Sequence, residues 1–432
     1  MTGAAGDIVD LTIADVAHGG VFVGRHEGRV VFVPDAIPGE RVRVRLTDVS
    51  KPAFWRAELL DVLDASPHRR PHIWAEADLS RDPADRAGGA DFGHIELAHQ
   101  RELKRGILAT ALARTGRLEV PVSFEGPRAA RMGERTVAEE ADGAHWRTRV
   151  TLHVDENGAI GPYAARSHRV IPVSSLPLAT SEIEQAAAGL RAGSPGRIDL
   201  VQPAGGDVRT LHRPDVAGRR AAARPERHDV ITERVGARSF RVDADGFWQV
   251  HRLAATTLTT VVAEMLGSGA VDPEGWHLDL YGGVGLFAAL LGDLAGPATR
   301  VTSVEASERA TEHAGENLAE WVGARAETAR VDRWIRRLRD AATTAERSRL
   351  SRGTVVLDPP RTGAGKDVVD ALAALTPARV VYVACDPVAL ARDLGRFVSR
   401  GYEVTRVHGL DLFPHSHHLE AVAVLAPSSS VE

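Results

Sequence analysis

Residues 278–290 read L-D-L-Y-G-G-V-G-L-F-A-A-L, an apolar run that breaks into a glycine-rich turn and resumes as an apolar segment. A strand that turns this sharply into a helix is the repeating step of a parallel α/β sheet, because parallel strands need a crossover between them. Glycine lets the backbone approach a ligand and present its amides at the start of a helix. The next apolar run, V-T-S-V-E, ends in Glu305, roughly 20 residues on, where an acid takes the hydroxyls of a ribose. The turn has no Walker lysine, and G-G-V-G does not fit G-x-G-x-x-G, so the pattern favours S-adenosylmethionine over ATP or NAD.

Further strands are expected at Thr354–Leu357, Arg379–Ala384 and Tyr402–Val407, with L-E-A-V-A-V-L pairing antiparallel at the end. The fold class predicted is therefore a doubly wound mixed α/β sheet. Ligands bind at the carboxyl ends of such strands, and Asp358, Cys385 and Glu420 all fall there. Cys385 is the only cysteine in 432 residues. A lone cysteine after a strand is usually a small buried hydrophobe, and Asp358 before two prolines can be a turn former. Glu420 by itself reads as a strand-end carboxylate.

The length exceeds one ordinary core and predicts two or three domains. A single cysteine excludes a disulfide framework and a multi-cysteine metal site. No apolar run is long enough to span a bilayer, and the N-terminus lacks a signal-peptide layout, so a cytoplasmic protein is expected. Net charge is −5, so basic character must be local: Arg41, Arg43 and Arg45, or Arg219 and Arg220.

Residues 1–66 alternate with β-branched runs and Gly/Pro turns, the pattern of a small OB-like barrel. Residues 67–235 form a less regular central unit, and 236–432 the sheet domain. Within the central unit His94–Leu118 is an amphipathic helix expected to pack on the sheet domain. Ser123–Ala144 reads as a loop, and W-R-T-R-V-T-L-H-V with G-P-Y-A-A-R-S-H-R-V-I-P-V as paired strands. Arg213–His228 reads as a solvated linker or a basic loop.

D-P-P-R-T-G, A-C-D-P-V-A-L-A-R-D-L and D-L-F-P-H-S-H-H-L-E together resemble the signatures of bacterial RNA uracil-5-methyltransferases. L-Y-G-G-V-G and F-W-Q-V-H fit the same family, and A-I-P-G-E-R-V-R-V-R resembles its TRAM domain. The resemblance covers most of the chain and implies a class I methyltransferase domain behind an RNA-binding barrel. It implies Cys385 as nucleophile, Glu420 as base and Asp358 as a contact to uracil or cofactor. Gln249, Tyr281, Gly283, Gly285, Leu286, Glu305, Asp332 and Asp358 are the implied S-adenosylmethionine set. The chemistry is coherent without the family. Carbon 5 of uracil is too weak a nucleophile to take a methyl group unaided, and thiolate addition at carbon 6 activates it. A base must then remove the proton left on carbon 5. Such a thiolate needs a locally lowered pKa.

The chain departs from the family where relatives carry an iron–sulfur cluster. C-G-G-C is here A-G-G-A, Ala87–Ala90, and a further cysteine is Leu176, so no cluster is expected. Packing around Trp74, Phe92 and Trp146 is the expected replacement brace. Leu286 stands where many relatives have asparagine. His415, His417 and His418 have no acidic or thiol partner at ligand spacing, so they are read as substrate-facing or structural rather than metal-binding. The expected partner is RNA, with ribosomal RNA favoured by the TRAM-like front, acted on by a monomer at a looped or flipped uracil. The rivals are an amino-methyltransferase on an RNA base, which needs no thiol, and a non-catalytic RNA-binding relict.

Overall fold

The computed structural model describes residues 3–133, 135–165, 167–191, 193–215 and 229–428. Arg219, Arg220 and most of the expected linker Arg213–His228 lie outside the described residues.

Strands β1 (Ile8–Val16), β2 (Phe22–His26), β3 (Arg29–Val33), β4 (Arg41–Asp48) and β5 (Phe54–Asp64) close into a barrel ordered β1-β2-β3-β5-β4. Alternation makes it: on β4, Val42, Val44 and Leu46 point into the core while Arg41, Arg43 and Arg45 point out. The arginine stripe lies against its own carboxylates. Arg41 and Arg43 face Asp10, and Arg45 faces Glu58.

Helix α1 (Leu97–Ala111) follows, widening into a π turn over Leu112–Gly116. Its Ile107, Leu108 and Ala111 enter the core of the large sheet. Next come β6 (Val122–Glu125), β7 (Ala130–Met132), β8 (Arg135–Val137), β9 (Arg149–Val154) and β10 (Ile160–Gly161). Residues 123–144, expected as a loop, contain three of these strands, and β6 pairs parallel with a strand nearly 300 residues later. V-S-F-E carries too little alternation to announce a partner that distant.

Helix α2 (Ser181–Ala188), β11 (Gly196–Val201) and β12 (Arg209–Pro214) complete a central sheet ordered β10-β9-β11-β12. The expected partner of β9 contributes only the two residues of β10; the long pairing is with β11. The central core holds Trp74 and Trp146 together with Ala87, Ala90 and Leu176, the three positions where cluster cysteines were sought. Phe92 does not belong to it, contrary to expectation. Its ring packs 5.6 Å from Phe22 inside the barrel core.

The remainder is β13 (Val230–Val235), β14 (Arg238–Asp243), α3 (Ala254–Leu266), β15 (Trp276–Leu280), α4 (Leu286–Ala295), β16 (Arg300–Glu305), α5 (Glu308–Asn317), β17 (Ala324–Thr328), α6 (Val331–Ala341) and α7 (Thr344–Leu350). After these come β18 (Thr354–Leu357), α8 (Gly365–Leu375), β19 (Arg379–Ala384), α9 (Pro387–Val398), β20 (Tyr402–Leu410) and β21 (Glu420–Pro427). The sheet runs β17-β16-β15-β18-β19-β21-β20-β6, with β15 to β19 parallel and β21 antiparallel between β19 and β20. Successive residues serve opposite cores: Val380 and Tyr382 of β19 join one, Val381 and Val383 the other. Strands buried on both faces read as continuous apolar runs for this reason.

Candidate active site

The parallel strands end together at one rim. Asp358 follows β18 directly, and its N–H donates to the Leu280 carbonyl at the end of β15 (3.2 Å). In the pair β19–β21 Ala384 lies opposite Ala421, so the next residues, Cys385 and Glu420, fall at the same end. A cavity of about 230 Å³ opens there, lined by Cys385, Asp386, Arg361, His417 and His418, with His18 and Gly19 from the barrel.

The three predicted chemical groups act on one another. Burial, then the Asp358 charge, holds the Glu420 carboxyl far above the usual carboxylate range, with Arg361 opposing. Burial and Asp279 push Asp358 up to about 7. A thiolate at Cys385 needs a lowered pKa, and its surroundings push the other way. Burial, Glu420 and Asp358 push it up to about 12, with Arg361 pulling the other way. The carboxyls that suit the site for proton transfer are the same ones that disfavour a thiolate beside them.

Several contacts hold the rim. Asp386 caps α9, its Oδ1 accepting from Val388 and Ala389, while its Oδ2 lies 3.2 Å from His18 Nε2. His417 Nδ1 and its backbone N–H meet Asp91 Oδ2 at 2.6 and 3.0 Å. Gly20 of the barrel must be glycine at this contact: a Cβ there would sit 2.2 Å from His417 Cβ, and φ is +73°. His415 is buried, taking Gln100 Nε2 on Nδ1 (3.1 Å) and donating Nε2–H to the Asp142 carbonyl (2.6 Å). His418 faces the cavity, burial and its cationic neighbours driving its pKa to about 3. Among the described residues, no group of three or more His, Cys, Asp or Glu side chains is arranged to hold a metal ion.

The glycine turn lies at the adjoining strand ends. Tyr281 and Gly282 donate to Val304, and Gly283 N–H donates to Glu305 Oε2 (3.2 Å). Gly283 and Gly285 have φ of +53° and +92°, and the space in front of Gly283 is open. Asp332 heads α6, ion-paired to Arg330 at 3.1 Å, and its charge helps raise the Tyr281 hydroxyl to about 12 after burial. These groups fit an adenosyl cofactor: a carboxylate at a strand end for ribose hydroxyls, and an open glycine backbone beside it. Gln249 lines a separate cavity of about 120 Å³ with Thr180, Glu233 and His251. Leu286 packs into the sheet core beside Phe287 and Ala289.

Three residues escaped the sequence reading. Arg361 lay inside D-P-P-R-T-G, but its charge mattered only once Cys385 and Glu420 were seen beside it. Asp279, fully buried under the glycine turn, accepts from Ala288 N–H at 2.9 Å and could have been noticed as an acid inside an apolar strand. His18 carries no signal in sequence, since only the folded chain brings the barrel to the rim.

Fold and site together define a class I S-adenosylmethionine-dependent methyltransferase with an N-terminal barrel. Comparison with known proteins agrees. The family model tRNA (Uracil-5-)-methyltransferase matches residues 240–427, and the TRAM domain model matches residues 5–60. An uncharacterized RNA methyltransferase of Streptomyces avermitilis is 36% identical, over 98% of this chain and 99% of its own. One from Bifidobacterium longum is 33% identical over 96% of each chain. Among solved structures, the Pyrococcus abyssi tRNA (uracil-54, C5)-methyltransferase in complex with S-adenosyl-L-homocysteine superposes with a TM-score of 0.67 at 21% identity, over 96% of this chain and 99% of that one. The chain belongs to the S-adenosylmethionine-dependent RNA (uracil-5-)-methyltransferase family.

Proposed function

We propose that this protein methylates carbon 5 of a uracil in ribosomal RNA, by way of a covalent bond between Cys385 and carbon 6. The observation that carries the reading is the convergence of Cys385, Glu420 and Asp358 at one end of the sheet, beside a cavity of about 230 Å³ that Cys385 lines. S-adenosylmethionine supplies the methyl group, and Tyr281, Gly283, Gly285, Glu305, Asp332 and Asp358 are the residues that would hold it, with Gln249 and Leu286 assigned by resemblance alone. With a single cysteine in the chain, and alanine, alanine and leucine where cluster cysteines were sought, the reading includes no iron–sulfur cluster.

Cys385 Sγ adds to carbon 6 after losing its proton, and the ring electrons make carbon 5 the nucleophile. After methylation, carbon 5 bears both a methyl group and a hydrogen. Glu420, as carboxylate, takes that hydrogen as a proton, and its electron pair re-forms the C5–C6 bond as sulfur leaves. Arg361 is the cation at the cavity that favours both the thiolate and the carboxylate. A pyrimidine edge cannot reach such a cavity from within a duplex, so the base is splayed out or in a loop.

Ribosomal RNA is the reading carried over from the TRAM-like sequence at the front. The same overall fold in an archaeal transfer-RNA enzyme makes transfer RNA the second reading. RNA transcripts containing 5-fluorouridine test both, because fluorine cannot leave as a proton. The expected result is a protein–RNA band on a denaturing gel that vanishes in Cys385→Ala, with the trapped fragment naming the RNA. Cofactor binding without any adduct on any RNA class would favour an amino-methyltransferase. Failure to bind S-adenosylmethionine would favour a binding-only relict.

A further inference from the structure

A second cavity adjoins the catalytic one. It measures about 440 Å³, nearly twice the volume that takes the target uracil, and Gly19 and His417 line both. Its walls come from the barrel (Val21, Asp35), from residues 83–91 and from residues 162–165. The A-G-G-A segment forms part of the wall, with small side chains where bulkier ones would fill the space. Gly89 has φ of +105° and open space in front of it.

The polar groups of this cavity suit a base edge. Among the described residues, the N–H groups of Gly89 and Ala90 make no hydrogen bond. Asp35 and Asp91 receive Arg86 and His417 on Oδ2, so each keeps an Oδ1 able to accept. Each carboxylate is already bonded to Arg86 or His417, and its remaining oxygen can accept from an exocyclic amino group. Tyr163 adds an aromatic wall held rigid by stacking on His153 at 3.6 Å. A uridine held in the catalytic cavity keeps its covalent neighbours within one sugar–phosphate step, and the adjoining cavity is where a splayed neighbour can go.

We propose that this cavity holds the purine base of a nucleotide flanking the target uridine, and so selects the sequence that is methylated. The proposal rests on the uracil-5 reading. Its test uses the RNA fragment trapped on Cys385, resynthesised with an abasic site at each flanking position in turn. Val21→Trp and Ala165→Phe fill the cavity from two different walls, away from Cys385, Glu420 and Asp358. One abasic position is expected to slow trapping by tenfold or more. Each filled variant should slow trapping of the intact RNA to the same extent, lose its sensitivity to the abasic site, and bind S-adenosylmethionine normally. Wild-type trapping rates in both variants, or undiminished sensitivity to the abasic site, would overturn it. A readout without methyl transfer separates this failure from failure of the uracil-5 reading: photocrosslinking of 6-thioguanosine-substituted cellular RNA to Cys385→Ala protein. Crosslinks in peptides containing residues 83–91 or 162–165 uphold the cavity even where no adduct forms. Crosslinks elsewhere alone reject it.

Discussion

Asp411 and Glu420 stand nine residues apart on the connection that ends in β21, and both are withdrawn from water, at 0% and 5% exposure. Asp411 is surrounded by cations. Lys104 Nζ lies 2.5 Å from its Oδ1 and Arg101 Nε 3.3 Å from its Oδ2, while Arg101 also binds Glu139. Among the described residues, nothing hydrogen-bonds to the Glu420 carboxyl. A buried carboxylate with matched cations fixes its loop to α1. One without them is left able to trade a proton. The paired acid braces the fold, and the unpaired acid is the one proposed to move a proton.

Breaking the paired side should cost most. Lys104→Met leaves Asp411 short of its nearest cation and is expected to destabilise the fold by roughly 3–5 kcal/mol, read by chemical denaturation. Adding Asp411→Leu should recover part of that loss; no recovery would mean that the lysine stem, not the charge pair, is what matters.

The same contrast exists among the aromatics. Phe240 packs on Trp248 at 5.6 Å, whereas the Phe247 ring is 75% exposed beside the F-W-Q-V-H motif. An exposed ring of this kind can stack on a base, so if Phe247 faces RNA, Phe247→Ala should weaken RNA binding by roughly 1–3 kcal/mol with thermal stability intact. Unchanged RNA affinity together with a lowered melting temperature would make it a packing residue.

Relieving the unpaired side should stabilise. A carboxyl whose folded pKa is raised lends stability below its unfolded pKa, and this is lost as pH climbs toward the folded value. Glu420→Gln should therefore match wild type near pH 4 and exceed its melting temperature by roughly 2–4 °C at pH 8, the shift that about 1 kcal/mol produces in a domain of this size. A melting temperature that falls at pH 8 would show a partner for Glu420 that the structure lacks. Smallest is Arg43→Ala in the barrel, where an exposed pair with Asp10 contributes little to stability. Melting should not move; if the stripe touches phosphate, the salt slope of RNA binding should fall by about 1.

The sheet half was legible because its signals are local. The strand–glycine–helix step at 278–290 and the rim positions of Asp358, Cys385 and Glu420 follow from runs of roughly a dozen residues or fewer. Features made by distant partners were not legible. β6 needed β20, β9 needed β11, and His18 reaches the catalytic rim only because the barrel folds against it. Phe92 was assigned to the wrong core for the same reason, since its neighbour Phe22 is 70 residues away. The direction of the Cys385 pKa was not legible either, because it depends on burial and on two acids from other strands.

The central claim is that Cys385 carries the uracil while Glu420 waits to remove a proton. Glu420→Gln protein, incubated with unmodified RNA and S-adenosylmethionine, digested and analysed by mass spectrometry, tests it directly. The account predicts a Cys385 peptide bearing a uridine nucleotide one methyl group heavier than normal, absent without the cofactor. Methylated RNA released from this variant at the wild-type rate, with an unmodified Cys385 peptide, would contradict it.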